Sequence, residues 1–342
     1  MTLDETGTGR RPTLKDVADA AGVSRATASL VLRGTGNLTD STRERVRDAM
    51  GRLGYVYHRG AASLRAGSTR TIGMIANDSS NLFMGEFTSA LELAMVDHGF
   101  VTLVCHSYEN PERQSLLIRS LLERGVDAIV VVPSVDSGPE LVSVLDLLDV
   151  PAVVAVRPLA GWAGSFVGPD NVQGGRLAAR HLLEHGSRTV AYFGAPLGLT
   201  PRHDRLSGLL GESEGPGGAL ELVADRPGPM TAAAGRAFAE ELLADHALPD
   251  AIVCHNESLA FGVYRALREH APELVDRMRV IAFDDVEEAA LWEPPLTTLD
   301  VNARDVGRRA AEILRVHLTG DRAPQRQTIE PRLVIRRSCG CH

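Results

Sequence analysis

Apolar positions in the first part of the chain recur at helical spacing. Leu14, Val17, Ala18 and Ala21 fall on one face of a short helix. Thr13 precedes it as an N-cap, and Asp16 lies in its positive first turn. Gly22 permits a tight turn, and Ser24 caps a second helix that begins at Arg25 and runs through Ser29. Val46, Met50 and Leu53, at i, i+4 and i+7, mark a third helix after a Thr39 cap. Two short helices joined by a glycine turn form a helix-turn-helix, whose second helix reads the DNA major groove. Arg25 and Ala26 then stand at the exposed N-terminal end of that helix, the end that meets base edges.

From Ile72 onward the pattern changes to short apolar runs separated by amphipathic stretches. Strands are expected at Ile72–Ala76, Val101–Ser107, Ala128–Pro133 and Pro151–Val156, with helices at Gly85–His98, Pro111–Arg124 and Pro139–Leu148. A second set follows, with strands at Val167–Gly168, Thr189–Gly194, Leu220–Ala224, Ala251–His255 and Val280–Phe283. Its helices are Asn171–His185, Asp204–Leu210, Thr231–Asp245 and Leu259–His270. The runs lack alternation, as parallel strands covered on both faces do. Two successive doubly wound halves with a cleft between them are the expected body, an α/β fold. Glycine-rich Gly208–Gly218 ends its helix early in a surface loop. Glu330–Arg336 reads as a final strand.

Thr13 to Ser29, Thr39 to Val46, Leu53-Gly54-Tyr55 and Ala61-Ala62-Ser63-Leu64 together resemble the DNA-binding head of the lactose-repressor (LacI/GalR) family. The resemblance continues along nearly the whole chain. It implies a three-helix head and a hinge helix joined to two periplasmic-binding-protein-like subdomains. The expected division is a disordered arm over 1–12, the head over 13–57, the hinge over 58–70 and the body over 71–342. The halves of the body are expected at approximately 71–160 plus 297–325 and 161–296 plus 326–342, with Pro294–Leu299 as a crossover and Ala303–Leu318 returning to the first half.

The resemblance also implies roles. Arg25, Ala26 and Leu30 take base-reading positions, and Arg25 can pair bidentately with a guanine edge, worth about 1–3 kcal/mol of discrimination. Ala26 and Leu30 can only touch a thymine methyl, and Leu30 can instead turn into the head core. Thr27, Ser29, Thr39 and Arg43 are candidates for phosphate contacts, and Tyr55 belongs to the same DNA-binding set. Leu64 corresponds to a wedge driven between central base pairs in the minor groove. Tyr57 stands where relatives often carry proline, and Gly60 lies early in the hinge, so the hinge is expected to fold on binding DNA.

In the body, four spots match family positions lining an effector cleft: Asn77, Ser80 and Phe83 in the loop Asn77–Phe83, then Arg205, Asn256 and Asp284. Each follows the carboxyl end of a strand, where open α/β sheets bind ligands. Trp292, with Trp162 and Phe166, offers an apolar wall. Plainer readings stand beside these: a salt bridge for Arg205, a turn for Asp284, a helix cap for Asn256, and a cap or strand-end role for Asp170-Asn171. Donor, amide and acceptor converging on one crevice suit the vicinal hydroxyls of a sugar and can also suit a polar heterocycle. Val156 stands where some sugar-responsive relatives carry aspartate.

Charge sharpens this picture. Residues 1–70 hold 12 Lys+Arg and 7 Asp+Glu, a net +5, whereas the remainder holds 24 and 37, a net −13. A basic head on an acidic body fits a protein whose head alone meets phosphate. No apolar run approaches the roughly 20 residues that span a bilayer, and Met1–Arg11 lacks the apolar core of a signal peptide, so a cytoplasmic protein without membrane contact is expected. Cys105 and Cys254 read as core residues. Cys339-Gly340-Cys341-His342 offers two thiols and one imidazole on a chain end, short of a fourth ligand, so no metal site is expected.

The expected function is a sequence-specific transcriptional repressor. It binds double-stranded DNA at a pseudo-palindromic operator as a homodimer and answers to a small molecule, a sugar or sugar derivative. No cofactor is expected. A solute-binding protein or a purine- or nucleoside-responsive regulator of the same fold are the alternatives. An enzyme is disfavoured, because no Walker loop, Gly-x-Ser-x-Gly elbow or His-Glu-x-x-His helix is present.

Overall fold

The computed structural model describes residues 12–56, 68–78, 81–211, 218–245 and 248–341. The chain divides into two compact units, Met1–Thr69 and Arg70–His342.

The first unit holds α1 (Leu14–Ala21), α2 (Arg25–Arg33) and α3 (Asp40–Leu53). Its caps are local chemistry written in the sequence. The Asp16 carboxylate accepts from the Thr13 backbone N–H at 2.7 Å while the Thr13 hydroxyl accepts from Asp16 N, a reciprocal capping box. Ser24 caps α2 by accepting from Thr27 N at 3.0 Å. Gly22, at φ 63°, takes the left-handed conformation that the turn between α1 and α2 requires. Val17, Ala18, Ala21, Ala28, Val31, Val46 and Ala49 form the core, with Leu14, Met50 and Leu53 packed at its rim.

The second unit carries two six-stranded sheets. The elements up to the first crossing are β1 (Thr71–Ala76), α4 (Leu82–Val96), β2 (Val101–His106), α5 (Pro111–Glu123), β3 (Ala128–Val131), α6 (Pro139–Asp146), β4 (Ala152–Ala155) and β5 (Ser165–Pro169). Next come α7 (Asn171–Glu184), β6 (Thr189–Phe193), α8 (Thr200–Gly211), β7 (Glu221–Arg226), α9 (Ala232–Ala244), β8 (Ala251–Cys254), α10 (Glu257–His270), β9 (Arg279–Phe283), α11 (Glu287–Leu291) and β10 (Thr297–Asp300). The chain ends through α12 (Ala303–Leu318), β11 (Arg326–Ile329) and β12 (Arg332–Val334). The first sheet runs β11-β5-β4-β3-β1-β2 and is parallel throughout. The second runs β12-β10-β9-β8-β6-β7, with β12 antiparallel to β10. The central strands β3 and β8 are buried along their whole length, as the unbroken apolar runs required.

The membership of the two sheets corrects the expected halves. The strand at 165–169 pairs with β4 in the first sheet, so it does not open the second half. Thr297–Asp300 pairs with β9 in the second sheet, not with the first half. The expected strand Glu330–Arg336 is a shorter β12, preceded by β11 in the other sheet. An apolar run states that it is a strand; its neighbour is fixed by partners far away in sequence, which periodicity does not report. Helix α8 begins at Thr200, ahead of the expected Asp204, and runs to Gly211. Among the described residues, no helix is long and apolar enough to cross a membrane.

Helix pairs meet at glycines. A Cβ on Gly175 of α7 would lie 2.1 Å from the Arg205 carbonyl oxygen, and one on Gly208 of α8 would lie 2.0 Å from that of Val172. Gly175 and Gly208 therefore make a backbone-to-backbone contact between α7 and α8. That contact sets the position of Arg205.

Candidate ligand cleft and DNA-reading helix

In the head, Arg25 and Ala26 are exposed in the first turn of α2. Thr27 and Ser29 are half-buried on the same helix. The Thr39 hydroxyl caps α3 and contacts the hydroxyls of Ser41 and Thr42, at 3.1 and 2.9 Å. Arg43 donates from Nη2 to the Gly36 carbonyl at 2.9 Å, bracing the loop before α3. Leu30 is half-buried and lies along that loop, where a Cβ on Gly36 would come 3.2 Å from its Cδ1. Packing within the head thus occupies part of the Leu30 side chain. Tyr55 packs against the head core. Leu64, Tyr57, Gly60 and Ser80 lie outside the described residues.

In the second unit, the carboxyl ends of both sheets face one cleft of about 220 Å³. Asn77 follows β1, Glu109 follows β2, and Val156 and Arg157 follow β4. From the second sheet come His255 and Asn256 after β8 and Asp284 after β9, with Arg205 reaching in from α8. Glu109, Val156 and Asp284 hold left-handed backbone, at φ 57°, 67° and 107°. Such conformations are strained for non-glycine residues, most of all β-branched valine, and strain of this kind concentrates at functional sites.

Arg205 is the centre of the second-sheet side. Its Nε donates to Asn171 Oδ1 at 2.8 Å and its Nη1 to the His255 carbonyl at 2.6 Å. Nη2 lies 3.5 Å from Asp284 Oδ1, and the guanidinium sits 4.1 Å over the Phe283 ring. Burial lifts the Asp284 carboxyl to about 6, against the attraction of Arg205. Behind it, the buried Glu257 carboxylate accepts from Asp285 N and from Val286 N, the latter at 3.0 Å, and clamps the loop that carries Asp284. Burial and the nearby Asp284 push Glu257 well above the usual carboxylate range. Burial, with help from Arg205, keeps His255 neutral, and its Nδ1 is 2.8 Å from the Tyr192 hydroxyl.

On the first-sheet side, Arg157 makes a two-pronged pair with Glu109, both contacts at 2.9 Å. Asn77 is 3% exposed, and among the described residues neither atom of its amide has a hydrogen-bond partner. Phe83 supplies the aromatic surface, beside Met84, Val156, Leu199 and Met230.

Asn256 combines both of its expected roles. Its Oδ1 caps α10 by accepting from Leu259 N at 3.1 Å, its Nδ2 donates to the Met230 carbonyl at 3.2 Å, and it lines the cleft. Trp292 is not at the cleft. It stacks on Phe261 with ring centroids 4.4 Å apart, in the core on another side of the second sheet. Trp162 and Phe166 likewise belong to the core of the first sheet.

A profile described as "Bacterial regulatory proteins, lacI family" matches residues 13–57, and one described as "Periplasmic binding protein-like domain" matches 179–339. The HTH-type transcriptional repressor PurR of Vibrio parahaemolyticus is 31% identical, over 95% of this chain and 97% of its own. The chain belongs to the lacI family. The maltose regulon regulatory protein MalI of Escherichia coli is 30% identical over 96% of this chain and 98% of its own. In fold, a lac repressor dimer bound to operator and the anti-inducer ONPF superposes with a TM-score of 0.86 at 24% identity, covering 96% of this chain and 99% of that one. A transcriptional regulator CelR–cellobiose complex gives 0.69 at 29% identity, covering 96% and 100%.

This lacI-family chain is a DNA-binding transcriptional regulator and not an enzyme. Its cleft also uses residues that sequence reasoning passed over. Arg157 and Glu109 are 48 positions apart and carry no local motif. Asn171, read as a cap or strand-end residue, is 3% exposed and aims its amide oxygen at Arg205, while the cap of α7 is Asp170 alone.

Proposed function

We propose that this protein is a repressor whose operator affinity is set by an uncharged, polyhydroxylated small molecule, a sugar, bound in the cleft. The observation that carries the reading is Asn77, an amide with a free donor and a free acceptor buried at the cleft wall. Buried polar groups are almost always hydrogen-bonded, and a hydroxyl can serve both atoms at once.

The charge of the lining supports a neutral ligand. Glu109 pairs with Arg157 and Asp284 with Arg205, so each guanidinium lining the cleft already has a carboxylate, and among the described residues no Lys or Arg lining it is left over for a phosphate. Phe83 gives one apolar face, suited to the flat side of a sugar ring; a purine would gain from two. Two relatives carry sugar names in their descriptions, MalI and the CelR–cellobiose complex.

In this reading the ligand shifts operator affinity through its differential affinity for two arrangements of the body. Two copies present two heads to a pseudo-palindromic site, and the protein works where that DNA is, in the cytoplasm. Arg25 and Ala26 read bases, Thr27, Ser29, Thr39 and Arg43 position the head on phosphates, with Tyr55 at its edge, and Leu64 is the minor-groove wedge.

A thermal-shift panel of neutral mono- and disaccharides, sugar phosphates, purine bases and nucleosides tests the ligand. A neutral sugar should raise Tm with increasing concentration, and Asn77→Ala should abolish the rise. Stabilisation by purines or phosphates alone, or a sugar response indifferent to Asn77→Ala, would overturn the reading.

A further inference from the structure

Away from the cleft, the chain end folds onto the C-terminal end of α7. Ser338 anchors it: its hydroxyl donates to the Val280 carbonyl at 2.6 Å and accepts from Thr297 N at 2.7 Å. Cys339 is 1% exposed, and Gly340, at φ 79°, turns the backbone so that Cys341 faces the helix. His181 and His185 stand one helical turn apart there, their ring centroids 4.6 Å from each other.

Cys341 Sγ lies 3.2 Å from His185 Nε2 and 3.8 Å from His181 Nε2. Ligand atoms of all three residues fall within 4.8 Å of one another. A tetrahedral zinc ion with sulfur at ~2.3 Å and nitrogen at ~2.0–2.1 Å holds those atoms about 3.5 Å apart. The Cys339 thiol is held apart from these three, its Sγ donating to the Arg336 carbonyl at 3.3 Å, so a bound ion keeps one open position for water.

We propose that His181, His185 and Cys341 form a three-ligand binding site for a zinc-class divalent ion. One thiolate and two imidazoles are a donor set that selects soft or borderline metals over magnesium or calcium. The Cys341 thiolate offsets part of the charge of the ion beside Arg279, whose Nη2 donates to the His185 carbonyl at 2.9 Å. His185 is exposed, which gives the ion an entry path. The site lies at the opposite end of α7 from Asn171, about 20 Å along the helix. Its effect is to staple the chain end to α7, independently of the ligand that the cleft takes. The sequence reading lacked the imidazoles because they lie some 160 positions from the thiols.

The test uses the full-length protein, stripped with chelator and held reduced by a phosphine. Cobalt(II) should bind at one equivalent per chain, giving a thiolate charge-transfer band and the intense visible bands of tetrahedral geometry, and zinc(II) should displace it. His185→Ala, at an exposed position, should weaken cobalt binding at least about tenfold. Cys341→Ser should remove most of the charge-transfer band, with circular dichroism showing both variants folded. Failure of the wild type to take up an equivalent of either metal, or uptake unchanged in both variants, would overturn the proposal.

Discussion

Gly175 on α7 and Arg205 on α8 touch through their backbones: a Cβ at Gly175 would sit 2.1 Å from the Arg205 carbonyl oxygen. The same approach brings Asn171, one turn earlier on α7, to the Arg205 guanidinium. Gly175→Ala must therefore push the helices apart. Overpacking of this kind costs about 1–3 kcal/mol, and the shift should carry Arg205 away from Asn171 and Asp284. We expect a lower denaturation midpoint and weaker ligand binding together, measured by chemical denaturation and calorimetric titration. An unchanged affinity would separate the helix contact from the site.

Asp284 and Arg205 are both nearly dry, at 7% and 6% side-chain exposure. Removing one member of a buried pair leaves the other uncompensated, at a cost of roughly 3–5 kcal/mol. Asp284→Ala should therefore destabilise the body, whereas Asp284→Asn keeps an acceptor for Arg205 and should cost less. Asp284→Asn should still bind operator and lose its response to ligand, by gel shift with and without the ligand. Loss of operator binding as well would point to a folding defect.

The carboxyl of Asp284, raised from 3.8 to about 6 by burial, makes a pH prediction with a definite sign. Its folded value lies above its unfolded one, so its contribution to stability is fully present below pH 3.8 and declines as pH rises to about 6. Ligand binding should run the other way, because a hydroxyl donates best to the ionised carboxylate. Affinity should rise between about pH 5 and pH 7, and Asp284→Asn should flatten that rise. A wild-type affinity constant over this range would show that the ligand does not contact the carboxylate.

Glu257 holds the Asp284 loop through two backbone N–H groups, those of Asp285 and Val286. Glu257→Gln retains an acceptor oxygen and should be mild. Glu257→Ala leaves one buried and one half-buried donor unpaired, at about 1–3 kcal/mol for the buried one and less for the other. The gap between the two variants in chemical denaturation measures the clamp.

What the sequence disclosed follows the range of the interactions. The caps at Thr13, Ser24 and Thr39 were legible because each is made within three residues. Helix α12 has the expected bounds, Ala303–Leu318, since its apolar stripe is local. Arg205, Asn256 and Asp284 were expected from the family resemblance; Asn256 and Asp284 follow strand ends, whereas Arg205 stands on α8 and not, as expected, after a strand. Trp292 was misplaced because an aromatic near a strand end does not disclose which side of the sheet it packs on. The Arg157–Glu109 pair and the contact of Cys341 with His185 depend on tertiary proximity alone.

The head separates contacts that specify from those that position. Arg25 is exposed at the start of α2, with Ala26 beside it, so in the proposed reading the main base contact of this helix rests on one guanidinium. Arg25→Ala should cost about 1–3 kcal/mol on the cognate site and relax the preference at a single base-pair position. Arg43, tied to the Gly36 carbonyl, should behave differently: Arg43→Ala should weaken all sequences alike and reduce the salt dependence of binding. Leu64→Ala should reduce specific binding far more than non-specific binding, because a wedge acts only where the duplex is kinked. Gel shifts on cognate and scrambled duplexes over a salt series resolve all three. Equal losses on both duplexes for Leu64→Ala would remove the wedge, and a uniform loss for Arg25→Ala would make it a phosphate contact.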